Sequence, residues 1–142
     1  MAPLIDPETK FGVRAERRLR EDYIGWLVTV SHDGTPQPNP VWFLWDGSSL
    51  LIYSIPDQAK LRNIARNPQV ALHLDSQDQG DDIVIVTGTA VVDPNAPPVH
   101  ENRSYLQKYA AEIKRIDQGT PEEMGRTYSV AIRITPSKVR GF

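Results

Sequence analysis

The chain contains no cysteine, and it has only three histidines among its 142 residues. Disulfide bonds, thiolate metal sites and a cysteine nucleophile are therefore excluded. The histidines, His32, His73 and His100, lie far apart and form no metal-binding spacing such as H-E-x-x-H. The G-x-S-x-G, P-loop and G-x-G-x-x-G motifs are absent too. The sequence thus identifies neither a catalytic residue nor a metal ligand.

A dominant charge sign and long apolar runs are also missing. Sixteen basic residues against eighteen acidic ones give a formal net charge of -2, which argues against a general nucleic-acid binder. No apolar run approaches the roughly 20 residues of a membrane span, and the N-terminus lacks the apolar core of a signal peptide. We expect one cytoplasmic domain, residues 1–142, whose partners are small molecules.

The first segment, residues 1–22, is predicted to contain an amphipathic helix that opens at Asp6-Pro7. Apolar residues recur every four positions on one side of this helix. Acidic neighbours dilute the charge of its arginine side, so a solvated face is favoured over a site for an acidic partner. The arginines concerned are Arg14, Arg17, Arg18 and Arg20.

From residue 24 the apolar pattern changes to a period of two, which is typical of strands. Turn residues separate the strands, and Gly88 is predicted to mark a bend. Residues 83–86 are apolar on both faces, as expected for a strand in a closed barrel or at a subunit contact. The predicted strands are 24–30, 38–45, 50–54, 70–75, 83–92 and 128–135, with helices at 102–116 and just after Thr120.

The most distinctive stretch follows the third predicted strand. Residues 60–66 have helical spacing and carry one lysine and two arginines, Lys60, Arg62 and Arg66. Asp57 is predicted to cap this helix, whose free N–H groups attract anions. Its buried face is predicted to comprise Leu61, Ile64 and Ala65. A phosphate site is one interpretation, and an ordinary solvated cationic face is the other.

Several motifs, taken in order, resemble one known family. They are Gly25–Val30, Asp33–Pro36, Asn39–Phe43, Lys60–Pro68 and Gly88–Ala90. Together they resemble the pyridoxamine phosphate oxidase-like split β-barrel family, from about residue 22 to the end of the chain. The closing segment Arg133–Phe142 is similar to that of the actinobacterial deazaflavin-dependent reductases, one branch of the family.

This resemblance implies a mainly β fold, namely a six-stranded antiparallel split barrel of the FMN-binding type with flanking helices, over residues 23–142. It also implies a homodimer with a cofactor in each groove between the subunits. In the matching motifs, Lys60 and Arg62 would contact the cofactor phosphate. The full set of implied cofactor-binding residues is Asn39, Pro40, Val41, Trp42, Ser54, Ile55, Lys60, Leu61, Arg62 and Asn63.

The function implied is hydride transfer from reduced coenzyme F420 to an electron-poor conjugated molecule such as a quinone, an enone or an unsaturated lactone. FMN is the alternative cofactor. A non-catalytic protein that binds flavin, deazaflavin or haem on the same barrel is a second alternative. If the first helix covers the groove, Arg14, Arg17 or Arg18 would suit the anionic tail of F420.

Overall fold

The computed structural model describes residues 3–77, 79–116 and 119–142. Within them, the strands are β1 (Gly25–Val30), β2 (Pro36–Val41), β3 (Leu44–Trp45), β4 (Leu50–Ser54), β5 (Gln69–Leu74), β6 (Val84–Val92) and β7 (Val130–Gly141). The helices are α1 (Lys10–Glu21), α2 (Ala59–Arg66), α3 (Arg103–Arg115) and α4 (Pro121–Thr127), with a 3-10 turn at Val99–Glu101. In this described part of the chain, no helix is long and apolar enough to cross a membrane.

The strands form one sheet in the order β2-β1-β5-β6-β7-β4-β3, and every neighbouring pair is antiparallel. Although β2 and β3 lie at opposite ends of this order, only Trp42 and Phe43 separate them along the chain. A chain extends by at most about 3.6 Å per residue, so the two edges lie within about 10 Å of each other here. The sheet must therefore curl until its edges meet.

The predicted mainly β class with flanking helices is confirmed, but the strand count is seven rather than six. The strand expected at 38–45 is divided at Trp42 and Phe43. Its first part pairs with β1 and its second part pairs with β4, so the backbone must turn between the two partners. We call Trp42 and Phe43 the barrel corner.

Strand β4 is buried on both faces and separates two hydrophobic clusters. Leu50 and Ile52 point into the barrel core, together with residues such as Phe43. Leu51 and Tyr53 point the other way, towards a cluster contributed largely by α3 and α4. The two-residue alternation of a strand thus links the barrel interior to the helical layer.

The bend predicted at Gly88 is confirmed, because the register of β6 against β7 shifts between Thr87 and Gly88. A Cβ atom at Gly88 would collide with the carbonyl oxygen of Thr135, so only glycine lets the two backbones approach this closely. The predicted end of the last strand at residue 135 is wrong. Strand β7 continues to Gly141 because β6 goes on pairing with it beyond the bulge.

Helix α1 begins at Lys10 rather than at Asp6-Pro7, because Thr9 acts as its N-cap and its hydroxyl accepts the N–H of Gly12 at 2.9 Å. The prediction of a solvated arginine face is wrong for Arg18, which is 4% exposed. Its guanidinium donates to the carboxylate of Asp22 at 2.6 Å.

Two backbone carbonyls complete the surroundings of Arg18. Its guanidinium donates to the oxygen of Asp75 at 2.6 Å and to that of Asp82 at 2.5 Å. Arg14 also lies against Asp82, at 2.5 Å between the side-chain atoms. These bonds fasten α1 to the segment that joins β5 to β6. Burial of a guanidinium requires such partners, since a desolvated charge without them is costly.

We expect Arg18→Ala to lower the free energy of unfolding by about 3 kcal/mol, because it leaves the half-buried carboxylate of Asp22 and two carbonyls without their donor. Arg17→Ala is the matched control on the same helix, and its exposed side chain predicts a change within about 0.5 kcal/mol. Urea unfolding of both variants measures the difference. Equal effects of the two substitutions would contradict the structural role of Arg18.

Candidate functional site

A cavity of about 320 Å³ lies between the barrel corner and the helical layer. This volume is at the lower end of the range for small-molecule pockets, roughly 300–1,000 Å³. Four aromatic rings and one ammonium group define its character, those of Trp42, Tyr53, Tyr105, Tyr128 and Lys60. The remaining lining residues are Ile24, Pro40, Val41, Ile116 and Met124.

Trp42 forms one wall of this cavity, and Tyr109 holds it in place. The two rings are stacked with centroids 4.6 Å apart and planes 7° from parallel. The hydroxyl of Tyr109 accepts the N–H of Phe43 at 3.0 Å and donates towards the carbonyl of Tyr23 at 2.7 Å. Helix α3 therefore clamps the backbone of the barrel corner directly behind the Trp42 ring.

Tyr53 and Tyr105 form a second wall, where their rings meet edge to face at 4.9 Å. The hydroxyl of Tyr53 accepts the side-chain N–H of Asn102 at 2.9 Å and donates to the carbonyl of Pro97 at 2.6 Å. Burial raises the pKa of both tyrosines above its ordinary value. Both phenols are therefore neutral at physiological pH, and this wall supplies no titrating group.

Among the described residues, Lys60 is the only charged side chain that lines this cavity. Lys60 is half-buried, and this partial loss of solvent lowers the pKa of its ammonium below the ordinary value. Among the described residues, no carboxylate lies within ion-pairing distance of it. A ligand anion would supply the missing counter-charge through a charge-assisted hydrogen bond.

The start of α2 differs from the prediction. Gln58, not Asp57, is the N-cap, and it makes no side-chain capping bond. Asp57 is in the left-handed conformation with φ 64°, and this places it in the preceding turn. Its carbonyl accepts from the guanidinium of Arg62 at 3.0 Å, so Arg62 folds back towards the first turn. No side chain caps that turn, so its first two N–H groups, those of Ala59 and Lys60, are available to an anion.

The buried face of α2 also differs. Asn63 and Ile64 are buried, whereas Ala65 is exposed. The side-chain amide of Asn63 donates to the buried hydroxyl of Thr29 in β1 at 3.0 Å. A buried polar residue is tolerated here because that bond satisfies it. This contact fixes α2, and with it Lys60, against the barrel.

The structure brings four of the ten sequence-predicted residues into the cavity wall, namely Pro40, Val41, Trp42 and Lys60. The others lie around it. Ser54 is buried and its hydroxyl donates to the carbonyl of Ile55, while Leu61 packs against the barrel core. Asn39, Ile55 and Arg62 are exposed, and Asn63 is buried as described above. Roles for all ten residues remain predictions.

The sequence did not point to the aromatic wall opposite Trp42. Tyr105, which belongs to that wall, stands on the apolar side of the predicted helix, and this pattern indicates core packing as readily as a ligand site. Tyr53 follows Ile52 on a strand buried on both faces, so its direction could not be read from an alternating pattern. Helix α1 contributes no residue to the cavity, and Arg14 and Arg18 are already paired with carboxylates.

Residues 13–142 match the pyridoxamine 5'-phosphate oxidase family, and the chain belongs to that family. Three solved structures show the range of its relatives. An F420 reductase is 30% identical, with 88% of this chain and 94% of that chain covered and a TM-score of 0.65. An FAD-binding protein from Mesorhizobium loti is 22% identical, with coverage of 89% and 90% and a TM-score of 0.63.

The third structure is HutZ, the haem storage protein from Vibrio cholerae. It is 15% identical, with coverage of 98% and 95% and a TM-score of 0.59. Because the FAD-binding protein and the haem storage protein are less than 25% identical to this chain, their likeness shows a shared fold. The family resemblance seen in the sequence motifs is thereby confirmed.

We expect Tyr109→Phe to lower the free energy of unfolding by about 2 kcal/mol, because the N–H of Phe43 and the carbonyl of Tyr23 lose a buried partner. Tyr23→Phe is the control, since that side chain is 47% exposed and its loss of a hydroxyl predicts little change. Urea unfolding, with near-ultraviolet circular dichroism to follow the stacked rings, gives both values. A Tyr109→Phe variant as stable as the parent would contradict the clamp.

Proposed function

We propose that this chain is an F420-dependent oxidoreductase that transfers hydride from reduced deazaflavin to an electron-poor conjugated molecule. The observation that carries the proposal is the position of Lys60. Its partly desolvated ammonium lines an aromatic cavity and has no counter-charge among the described residues. The likeness to an F420 reductase at 30% identity supports the choice of cofactor. A quinone, an enone or an unsaturated lactone is the substrate class we propose.

The cavity suits the flat ring system of such a cofactor better than the whole molecule. Aromatic and apolar side chains favour a planar conjugated ring, and 320 Å³ leaves no room for a long anionic tail. The tail would leave past the start of α2, where Lys60 and Arg62 would hold its phosphate. Pro40, Val41 and Trp42 would border the ring.

The cofactor, when bound, supplies the hydride. The chain's own part is to position the cofactor ring against the substrate and to exclude water from between them. The ring of Trp42 is held by stacking on Tyr109. The hydroxyl of Tyr53 is held by one hydrogen bond that it accepts and one that it donates. In the part of the chain that the structure describes, no carboxylate or histidine lines the cavity. The proton that completes the reduction would therefore come from water.

We also propose a cytoplasmic homodimer in which a second copy closes the open side of the cavity. Ile24 and Ile116 line the cavity and are 36% and 38% exposed in the single chain. Ile55, at the end of β4, is 37% exposed. A second copy that covered these side chains would remove apolar surface from water at the place where the ring would lie.

We expect Lys60→Ala and Arg62→Ala each to weaken F420 binding roughly 10- to 100-fold, since each removes a charge-assisted bond of about 1.5–3 kcal/mol. Arg66→Ala is the matched control, because Arg66 is an exposed arginine in the last turn of the same helix. Isothermal titration calorimetry measures all three affinities. The phosphate assignment is wrong if Lys60→Ala and Arg62→Ala stay within about twofold of the parent.

Two other functions on the same barrel stay open to direct test. An FMN or FAD enzyme is favoured by the FAD-binding relative, and a non-catalytic carrier by the haem storage relative. Haem is the less supported ligand, because neither His32, His73 nor His100 lines the cavity. Separate titrations with F420, FMN and haemin rank these possibilities.

We expect the protein with reduced F420 to reduce menadione at a rate that saturates with menadione concentration. The physical reason is that a positioned donor and acceptor react as one complex. Absorbance of the oxidised deazaflavin follows the rate. A carrier would bind reduced F420 tightly and leave the rate at that of the free cofactor. That outcome would replace the enzyme proposal by the carrier.

A further inference from the structure

A second and larger concavity, about 880 Å³, lies on another part of the molecule. It shares no lining residue with the 320 Å³ cavity beside Trp42, which we call the Trp42 cavity. It is bounded by the end of α1, by β3 and by α3. We call it the Lys108 groove. Its apolar surface comes from Tyr23, a residue that is 47% exposed, and from side chains that include the half-buried Leu44 and the exposed Pro97.

All charged residues that line the groove, apart from Lys108, are already paired. Arg20 lies 2.7 Å from Glu16 of its own helix. Glu21 pairs with Arg17 at 3.7 Å. The last two, Asp46 and Arg133, lie 3.8 Å apart, and Arg133 also pairs with Asp93 at 3.3 Å. Within the described residues, Lys108 has no carboxylate at ion-pairing distance, so its ammonium is the cation of the groove without a direct counter-charge.

The ammonium of Lys108 is fixed in position. It donates to the carbonyl of Phe43 at 3.0 Å and lies 4.0 Å from the centroid of the Phe43 ring and 5.1 Å from that of Tyr109. An ammonium has three N–H donors, so this bond leaves two of them unused. Burial lowers the pKa of Lys108 to about 8, although Asp22 acts in the opposite direction. Asp22 itself is bonded to Arg18.

We propose that the Lys108 groove is a second ligand site, which binds a small aromatic anion such as an aryl carboxylate or aryl sulfonate. The anion would pair with Lys108, and the aromatic part would lie against Tyr23 and the neighbouring apolar surface. Charge complementarity supplies the argument for an anion, because a partly desolvated cation gains a counter-charge. The exposed ring supplies the argument for an aromatic body.

The test uses 8-anilino-1-naphthalenesulfonate with the whole protein, followed by its fluorescence. We expect Lys108→Met to weaken binding at least about tenfold and Lys108→Arg to restore it, because the charge is what binds. Lys114→Met is the matched control, since Lys114 is exposed on the same helix, and it should change the affinity less than twofold. N-phenyl-1-naphthylamine, which lacks only the sulfonate, should bind the parent and Lys108→Met alike.

The pH dependence provides a second readout. Binding of the sulfonate to the parent should be about tenfold weaker at pH 9 than at pH 7, because Lys108 loses its charge above about pH 8. Lys108→Arg should keep its affinity over this range. The proposal is overturned if Lys108→Met binds the sulfonate as the parent does. It is equally overturned if Lys60→Ala, and not Lys108→Met, removes binding, because the probe then lies in the Trp42 cavity.

Discussion

The barrel corner at Trp42 and Phe43 is the constraint on which the rest of the structure depends. Because the chain passes from β2 to β3 within two residues, the two edges of the sheet must lie close together. The hydroxyl of Tyr109 holds that turn by binding the N–H of Phe43. One side of the corner presents the Trp42 ring to the cavity, and the other presents the Phe43 carbonyl to Lys108. One clamp therefore supports both candidate sites.

The cationic residues fall into two groups. Some pair with carboxylates and hold the fold together, and others have no carboxylate partner among the described residues. Arg14 and Arg18 of α1 are held by Asp82 and Asp22, so they fasten a helix to the sheet. Lys60 and the charged residues of α2 near it lack such carboxylate partners among the described residues. Sequence composition cannot separate the two sets, because pairing depends on which segments the topology brings together.

Much of the fold could be predicted from the sequence because its signals are local. Strand β4 at 50–54 and the Thr120 cap of α4 follow from short apolar runs and turn residues. The divided strand and the burial of Arg18 could not be predicted, since both arise from partners far along the chain. For the site, the motifs located the Trp42 wall and Lys60. The opposite wall, Tyr53 and Tyr105, had the same pattern as an ordinary core.

The lack of a catalytic motif and the geometry of the cavity have one explanation. If a cofactor supplies the reactive atom, the protein needs rigid walls and one cation, and no acid–base pair has to appear in the sequence. The cavity has that character, with neutral tyrosines and with Lys60 as the one charge that the described residues place there. In that case the shape of the walls would select the bound molecule, and Met124 and Tyr128 of the α4 region belong to those walls.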